Sequence, residues 1–278
     1  MKKLIILAFA WSFFVGGTTL ATGEVLNNEV SNSQASNEAR SWYYTRPNKE
    51  ATTPEAKTPG WEGGIDLAAY DTYYVGDTAQ KEIYLTFDEG YEQGYTARIL
   101  DILKEKNVPA AFFVTKAYIK QDPDLVRRMV AEGHIVGNHT VRHKSSPKLS
   151  PMELTEELAG VEEYFKEITG VELPKYFRPP MGEYSESTLK TAYDAGYATI
   201  FWSFAYEDWL TNKQPGAAAA HKKVVGGLHN GAILLLHAVS SSNTEALADI
   251  IDSAHALGYE FKTLDNLKGG YGLWNHLQ

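Results

Sequence analysis

From residue 81 onward, short apolar runs alternate with longer segments whose apolar residues recur every three or four positions, and that alternation leaves few folds open. The runs 83–87, 110–114, 135–138, 176–178, 199–203, 233–236 and 260–262 have the length and composition of strands. The segments 95–106, 122–132, 152–169, 186–195, 217–228 and 244–257 carry the helical period. Their ends are punctuated. Ser150-Pro151 offers an N-cap with proline at the first helical position, and Gly133, Gly170, Gly196 and Gly258 each follow a helical segment where a left-handed C-cap would sit. Seven strands with six intervening helices predict an α/β fold, a distorted parallel barrel of about seven strands, rather than a sandwich. No internal repeat is evident.

Upstream the pattern changes. Lys2 and Lys3 precede an apolar run from Leu4 to Val15, and Thr19 and Ala21 flank Leu20 in the spacing a signal peptidase accepts. Residues 1–21 are therefore expected to be a signal peptide, with an uncleaved anchor as the alternative, and the chain is expected to be secreted and associated with the cell wall or spore cortex. No later segment reads as transmembrane. Loss of the leader would leave 24 basic against 35 acidic residues, a formal charge of −11, which argues against a nucleic-acid partner. Residues 22–40, rich in Asn, Ser and Glu, read as a flexible spacer. Residues 41–80 read as an irregular strap laid on the domain, 81–268 as one catalytic domain, and 269–278 as a tail. A monomer is expected. The absence of cysteine excludes disulfides and thiolate ligands, so any metal must be held by histidine, carboxylate or water.

A parallel strand is buried on both faces and tolerates charge only at its carboxyl end, where ligands collect. Asp88 and Glu89 stand where the run 83–87 meets Gly90. Alone, such a pair would merely cap the following helix. His139 and His143 follow the run 135–138 directly. Four-residue spacing would put both imidazoles on one face of a helical turn, and Glu89 as a third donor would complete a two-histidine, one-carboxylate metal site open to water and substrate. A solvated surface pair is the alternative for the spacing taken alone. Arg178 opens Arg178-Pro179-Pro180-Met181-Gly182, whose prolines stiffen the turn, or it is an exposed arginine on a rigid loop. Asp208 precedes Trp209, an indole able to stack on a ring or to pack in the core, and His237 ends the buried run 233–236. Barrel stability is indifferent to what stands on that rim, so five polar sets at five strand ends read as catalytic. His134, His221, His229, His255 and His276 lack comparable context.

Taken in order, these motifs resemble those of the polysaccharide deacetylases, the family 4 carbohydrate esterases with the NodB homology domain. Thr86-Phe87-Asp88-Glu89-Gly90 is similar to the family's TFDDG, His139 to His143 to its HxxxH, and Arg178-Pro179-Pro180-Met181-Gly182 to its RPPxG. Asp208-Trp209 is similar to its DW, and Leu235-Leu236-His237 to its LxH. The resemblance runs over about 81–267. Residues 86–96, 206–209 and 234–240 are nearer to the sporulation-associated branch, the PdaA type, which acts on peptide-free N-acetylmuramic acid and leads to muramic δ-lactam in spore cortex.

The resemblance implies roles. Asp88 would be the general base, Arg178 the partner that orients it, His237 the general acid and Asp208 the partner of His237. Glu89, His139 and His143 would hold a divalent cation, zinc foremost, although cobalt, manganese and iron suit the same donors. The family usually has Asp where this chain has Glu89, and the branch often has Asn, so the added methylene requires the turn to retreat or the metal to shift. Arg178 would keep Asp88 ionised while Asp208 favours imidazolium at His237, which separates the two titrations as acid and base roles require. Tyr91, Tyr184 and Trp209 flank the motifs and are the candidate sugar-stacking residues. The partner implied is the glycan strand of peptidoglycan. Deacetylation of N-acetylglucosamine units, in peptidoglycan or chitin-like oligomers, is the alternative reaction, and a secreted glycan-binding module without turnover is the alternative class. Arg142 or Lys144 is the cation expected to meet a lactyl carboxylate.

Overall fold

The chain follows the alternation read from its sequence. The computed structural model describes residues 35–43 and 64–267, which lie within one compact unit. The leader 1–21, the tail 269–278, and residues 22–34 and 44–63 of the expected spacer and strap lie outside the described residues. In chain order the regular elements are β1 (Arg40–Ser41), β2 (Thr72–Tyr73), β3 (Glu82–Glu89), α1 (Thr96–Lys106), β4 (Ala111–Val114), α2 (Lys116–Gln121), α3 (Pro123–Ala131), β5 (Ile135–Asn138) and α4 (Pro151–Thr169). There follow β6 (Tyr176–Phe177), β7 (Glu183–Tyr184), α5 (Glu186–Asp194), β8 (Ala198–Ile200), α6 (Ala217–Gly227), β9 (Ala232–His237), α7 (Ser241–Ala256) and β10 (Glu260–Phe261).

All seven expected strands are present, as β3, β4, β5, β6, β8, β9 and β10, and they pair in parallel. The sheet runs β10-β3-β4-β5-β6-β8-β2, with β9 on the other edge of β3. It curls until the chain beyond β8 reaches β9. Ser203 N–H donates to Ile233 O at 3.0 Å, Leu235 N–H to Phe204 O at 2.8 Å, and Gly76 N–H to Gly231 O at 2.7 Å. These few bonds replace a full strand pair, so the barrel is distorted at this seam. Four of these elements escaped the periodicity, two of them the two-residue strands β1 and β7 that pair with each other. The strand β2 is two residues long, and α2 is a six-residue helix capped by Thr115, whose side chain accepts from Tyr118 N–H at 3.1 Å.

Strand alternation sorts the core into two layers. Ile83, Leu85 and Phe87 of β3 face the helices and join Ile99, Leu103, Val126, Val161 and Ile250. Tyr84 faces inward with Phe113, Tyr176, Ile200 and Ile233. The same parity carries Thr86 and Asp88 inward and Glu89 outward. Helix ends behave as their residues require: Ser150 and Glu153 form a reciprocal capping box on α4, and Gly170 closes it at φ +77°.

Candidate active site

Asp88 and His237 lie opposite each other in the register of β3 and β9, adjacent at the carboxyl end of the sheet. Both line a cleft of about 870 Å³, with His139 and His143. Each is held by a second group. Arg178, fully buried at the end of β6, donates from Nη1 to Asp88 Oδ1 at 2.8 Å and to Thr86 Oγ1 at 2.8 Å, and from Nε to Ile200 O at 2.9 Å. Its guanidinium lies 4.1 Å from the ring centroid of Phe113, a cation–π contact that helps to compensate lost hydration. That ring has room because Gly137 has no side chain; a Cβ there would sit 2.7 Å from Phe113 Cδ1. On the opposite wall, His237 Nδ1 meets Asp208 Oδ1 at 2.6 Å, and His237 N–H donates to Asp208 Oδ2 at 2.8 Å. Asn243 Nδ2 donates to the same carboxylate.

The two groups are pushed apart electrically. Burial acts to raise the Asp88 pKa, but the charge of Arg178, aided by His139, His237 and the Arg178 hydrogen bond, outweighs it and holds the carboxyl below its ordinary value. At His237 burial works against the charged form, yet the hydrogen bond and charge of Asp208 exceed it and raise the imidazole pKa. An ionised carboxylate thus faces an imidazole that favours its protonated form.

His139 and His143 converge as expected, but by a different route. The segment after β5 is an irregular loop, with Thr140 at φ +70° and His143 at φ +52°. A β-branched residue in that region is strained, at a cost of roughly 1–3 kcal/mol. Asn138 secures the loop: its Oδ1 accepts Thr140 N–H at 2.9 Å while its amide donates to Leu158 O at 2.9 Å and Tyr197 Oη at 2.8 Å. The two imidazole rings are 4.8 Å apart at 70°. His139 Nδ1 is bonded to Arg178 O at 2.8 Å, which fixes the proton there and leaves the Nε2 lone pair facing Asp88 Oδ2 at 3.6 Å. Burial lowers the pKa of both rings, that of His139 to about 4, so both take the neutral form that can ligate.

Glu89 is not with them. As the odd member of the β3 alternation it points under α1, where Oε1 accepts from Thr96 Oγ1 at 3.4 Å and Oε2 is buried without a hydrogen-bond partner. The expectation that it completes the metal site is corrected by strand parity. Among the described residues no set of three or more His, Asp and Glu side chains is arranged to hold a metal ion. The two imidazoles fit a divalent cation in orientation and protonation, and water or substrate would have to supply further donors.

Of the expected sugar platforms, Tyr91 and Trp209 are exposed on the cleft, and Trp209 meets the His237 ring at 5.3 Å. Tyr184 is corrected: it is fully buried, packed with Trp42 and Phe201 beneath the surface. Arg142 lines the cleft, whereas Lys144 is exposed and is not among its lining residues. Trp42, Tyr43, Met181 and Trp202 also line it. Met181 belongs to the Arg178 motif, but nothing local in the sequence marked Trp42, Tyr43 and Trp202 for the site, because the fold brings them there.

Comparison with known proteins agrees with this geometry. The family model for polysaccharide deacetylase matches residues 75–200. The peptidoglycan-N-acetylmuramic acid deacetylase PdaA of Bacillus subtilis is 45% identical over 201 residues, 72% of this chain and 76% of that protein. A solved structure of Bacillus subtilis PdaA, described as a family 4 carbohydrate esterase, superposes with a TM-score of 0.79 at 41% identity, covering 84% of this chain and 98% of that one. A peptidoglycan-N-acetylglucosamine deacetylase of Bacillus cereus is 32% identical over 73% of this chain and 95% of its own length. With Asp88, His139, His143 and His237 gathered on one cleft and these relatives spanning most of its length, the chain belongs to the polysaccharide deacetylase family, hydrolases that act on amide bonds.

Proposed function

We propose that the chain hydrolyses the N-acetyl group of N-acetylmuramic acid residues in peptidoglycan glycan strands. The observation that carries this reading is the in-register juxtaposition of Asp88, paired with buried Arg178, and His237, paired with buried Asp208. An acetamide resists water because its carbonyl is a weak electrophile and an amine anion leaves poorly, so both ends need help. Asp88 accepts the proton of the attacking water, and His237 donates one to the departing nitrogen. Arg178 prevents Asp88 from picking up a proton prematurely, and Asp208 orients the imidazole and keeps it charged. His139 and His143 are the residues that would hold a divalent cation, zinc foremost, which when bound supplies Lewis-acid polarisation of the acetyl carbonyl. The fixed Nδ1 proton of His139 sets the ring orientation for that task.

Arg142 supports muramic acid as the sugar. Its backbone N–H and its Nε both bond the buried carboxylate of Glu157, so a half-exposed guanidinium is braced on the cleft wall. A lactyl carboxylate would pair with it, whereas N-acetylglucosamine offers no such group. The 32% identical N-acetylglucosamine deacetylase supports the alternative reaction. The free amine produced beside a lactyl carboxyl is the precursor that closes to muramic δ-lactam, which would assign the enzyme to spore cortex and, with residues 1–21 as leader, to the outside of the membrane. Incubation with peptide-free muramyl glycan and with chitooligosaccharide, with and without chelator, followed by mass identification of products, tests the whole reading. Deacetylation of the muramyl residues is expected. Arg142→Ala is expected to raise KM for muramyl glycan by about tenfold or more, as loss of a charged hydrogen bond does, with no change on chitooligosaccharide. Preference for chitooligosaccharide in the unaltered enzyme would favour the alternative.

A further inference from the structure

The strap that precedes the family domain is fixed to the catalytic loop by a specific set of contacts. Arg40 and Ser41 pair antiparallel with Tyr184 and Glu183. Trp42 N–H then donates to Gly182 O at 2.8 Å, and its indole Nε1–H donates to Trp202 O at 3.0 Å. The indole stacks on Phe201 at 4.2 Å and 8°. Gly182, at φ +66°, permits this approach: a Cβ there would lie 2.7 Å from Trp202 Cη2 and 3.2 Å from Trp42 Cβ. Gly182 ends the Arg178 loop, and Phe201 O accepts from Arg178 Nη2 at 3.2 Å, so the strap is anchored on the residues that position the base.

Tyr43 follows that anchor directly. It is 54% exposed and lines the cleft together with Trp42. A large aromatic left in water beside an apolar wall is suited to the apolar face of a pyranose. Trp209 already meets His237 and so flanks the sugar undergoing reaction. Tyr43 stands instead on the wall built by the Arg178 loop and the strap. The cleft volume of about 870 Å³ lies near the top of the roughly 300–1,000 Å³ usual for small-ligand sites, which leaves room for more than one ring. The geometry points to Tyr43 as a specificity-determining residue: a strap-borne platform for a neighbouring sugar of the same strand, which makes the enzyme prefer polymer to short fragments. The inference rests on the glycan reading of the cleft but does not need the chemistry.

The test measures calorimetric binding and, separately, KM and kcat with peptide-free muramyl glycan fragments of two and six sugars, for the unaltered enzyme, Tyr43→Ala and Tyr43→Trp. The unaltered enzyme is expected to bind the six-sugar fragment more tightly than the two-sugar fragment. Tyr43→Ala should weaken six-sugar binding about tenfold, the factor that corresponds to about 1.4 kcal/mol of stacking. Its binding of the two-sugar fragment, its kcat and its melting temperature should stay within error, and Tyr43→Trp should restore length dependence. Equal loss on both fragments, no loss on either, or absence of length dependence in the unaltered enzyme would overturn the platform. Length-dependent binding lost in Tyr43→Ala without acetate release by any variant would support the platform and overturn the deacetylase reading.

Discussion

At the scale of single residues, the proposed role of His237 as general acid makes its pairing with Asp208 set where activity ends on the alkaline side. A general acid works only while protonated, and the raised pKa of His237 keeps it so to higher pH; activity is lost as pH rises through that value. Asp208→Asn retains an acceptor for the His237 N–H but removes the charge. The alkaline limb of the kcat profile should move to lower pH and the plateau should fall by roughly 10–100-fold, a pH-rate series being the check. The lowered pKa of Asp88 keeps the acid limb well below neutrality in both enzymes. Glu89 has the opposite character. Burial, reinforced by the charge of Glu92, raises its pKa well above the ordinary 4.5. A raised folded-state pKa contributes stability below the unfolded value and loses it as pH rises through the folded one. Glu89→Gln should therefore melt higher than the unaltered protein at neutral pH, with the gap closing in acid. Metal content should be unchanged in this variant and lost in His139→Ala; loss in both would return Glu89 to the metal site.

At the scale of elements, the strands deliver chemistry through their parity. Alternation along β3 and β9 turns Asp88 and His237 inward, and the same rule sends Glu89 beneath α1. That much was legible in the sequence: with Ile83, Leu85 and Phe87 facing the helices, Glu89 had to follow them. The expectation of a third metal donor, drawn from the residue types and then from the resemblance, left that parity out and gave the wrong face. The convergence of His139 and His143 was legible, but the path was not, because left-handed Thr140 is imposed by Asn138 and α4 rather than by local preference. Gly137 was visible only as part of a strand end, since its purpose depends on Phe113 of the neighbouring β4 and, behind it, Arg178. Gly137→Ala should force that ring aside, destabilising the fold by about 1–3 kcal/mol and lowering kcat through a displaced guanidinium. Thermal unfolding and turnover on the same preparation measure the two effects.

At the scale of the whole molecule, the order of elements was readable because each strand and helix carries its own period, while the walls of the cleft were not. Trp42 and Tyr43 reach the site from more than 130 residues before Arg178 in sequence, and buried Tyr184 was taken for a surface platform because burial is a property of the assembled chain. The seam between the chain after β8 and β9 has a further implication. Strand β9 lies between β3 and residues Ser203 and Phe204, so a segment near the end of the chain is inserted beside one laid down about 150 residues earlier. Pairing over that span is slow, and a nascent chain that ends between Asp88 and His237 holds the proposed base without the proposed acid or the strand that shuts the barrel. On the proposed roles, competence waits for β9, and a ribosome halted short of His237 releases a chain without its acid.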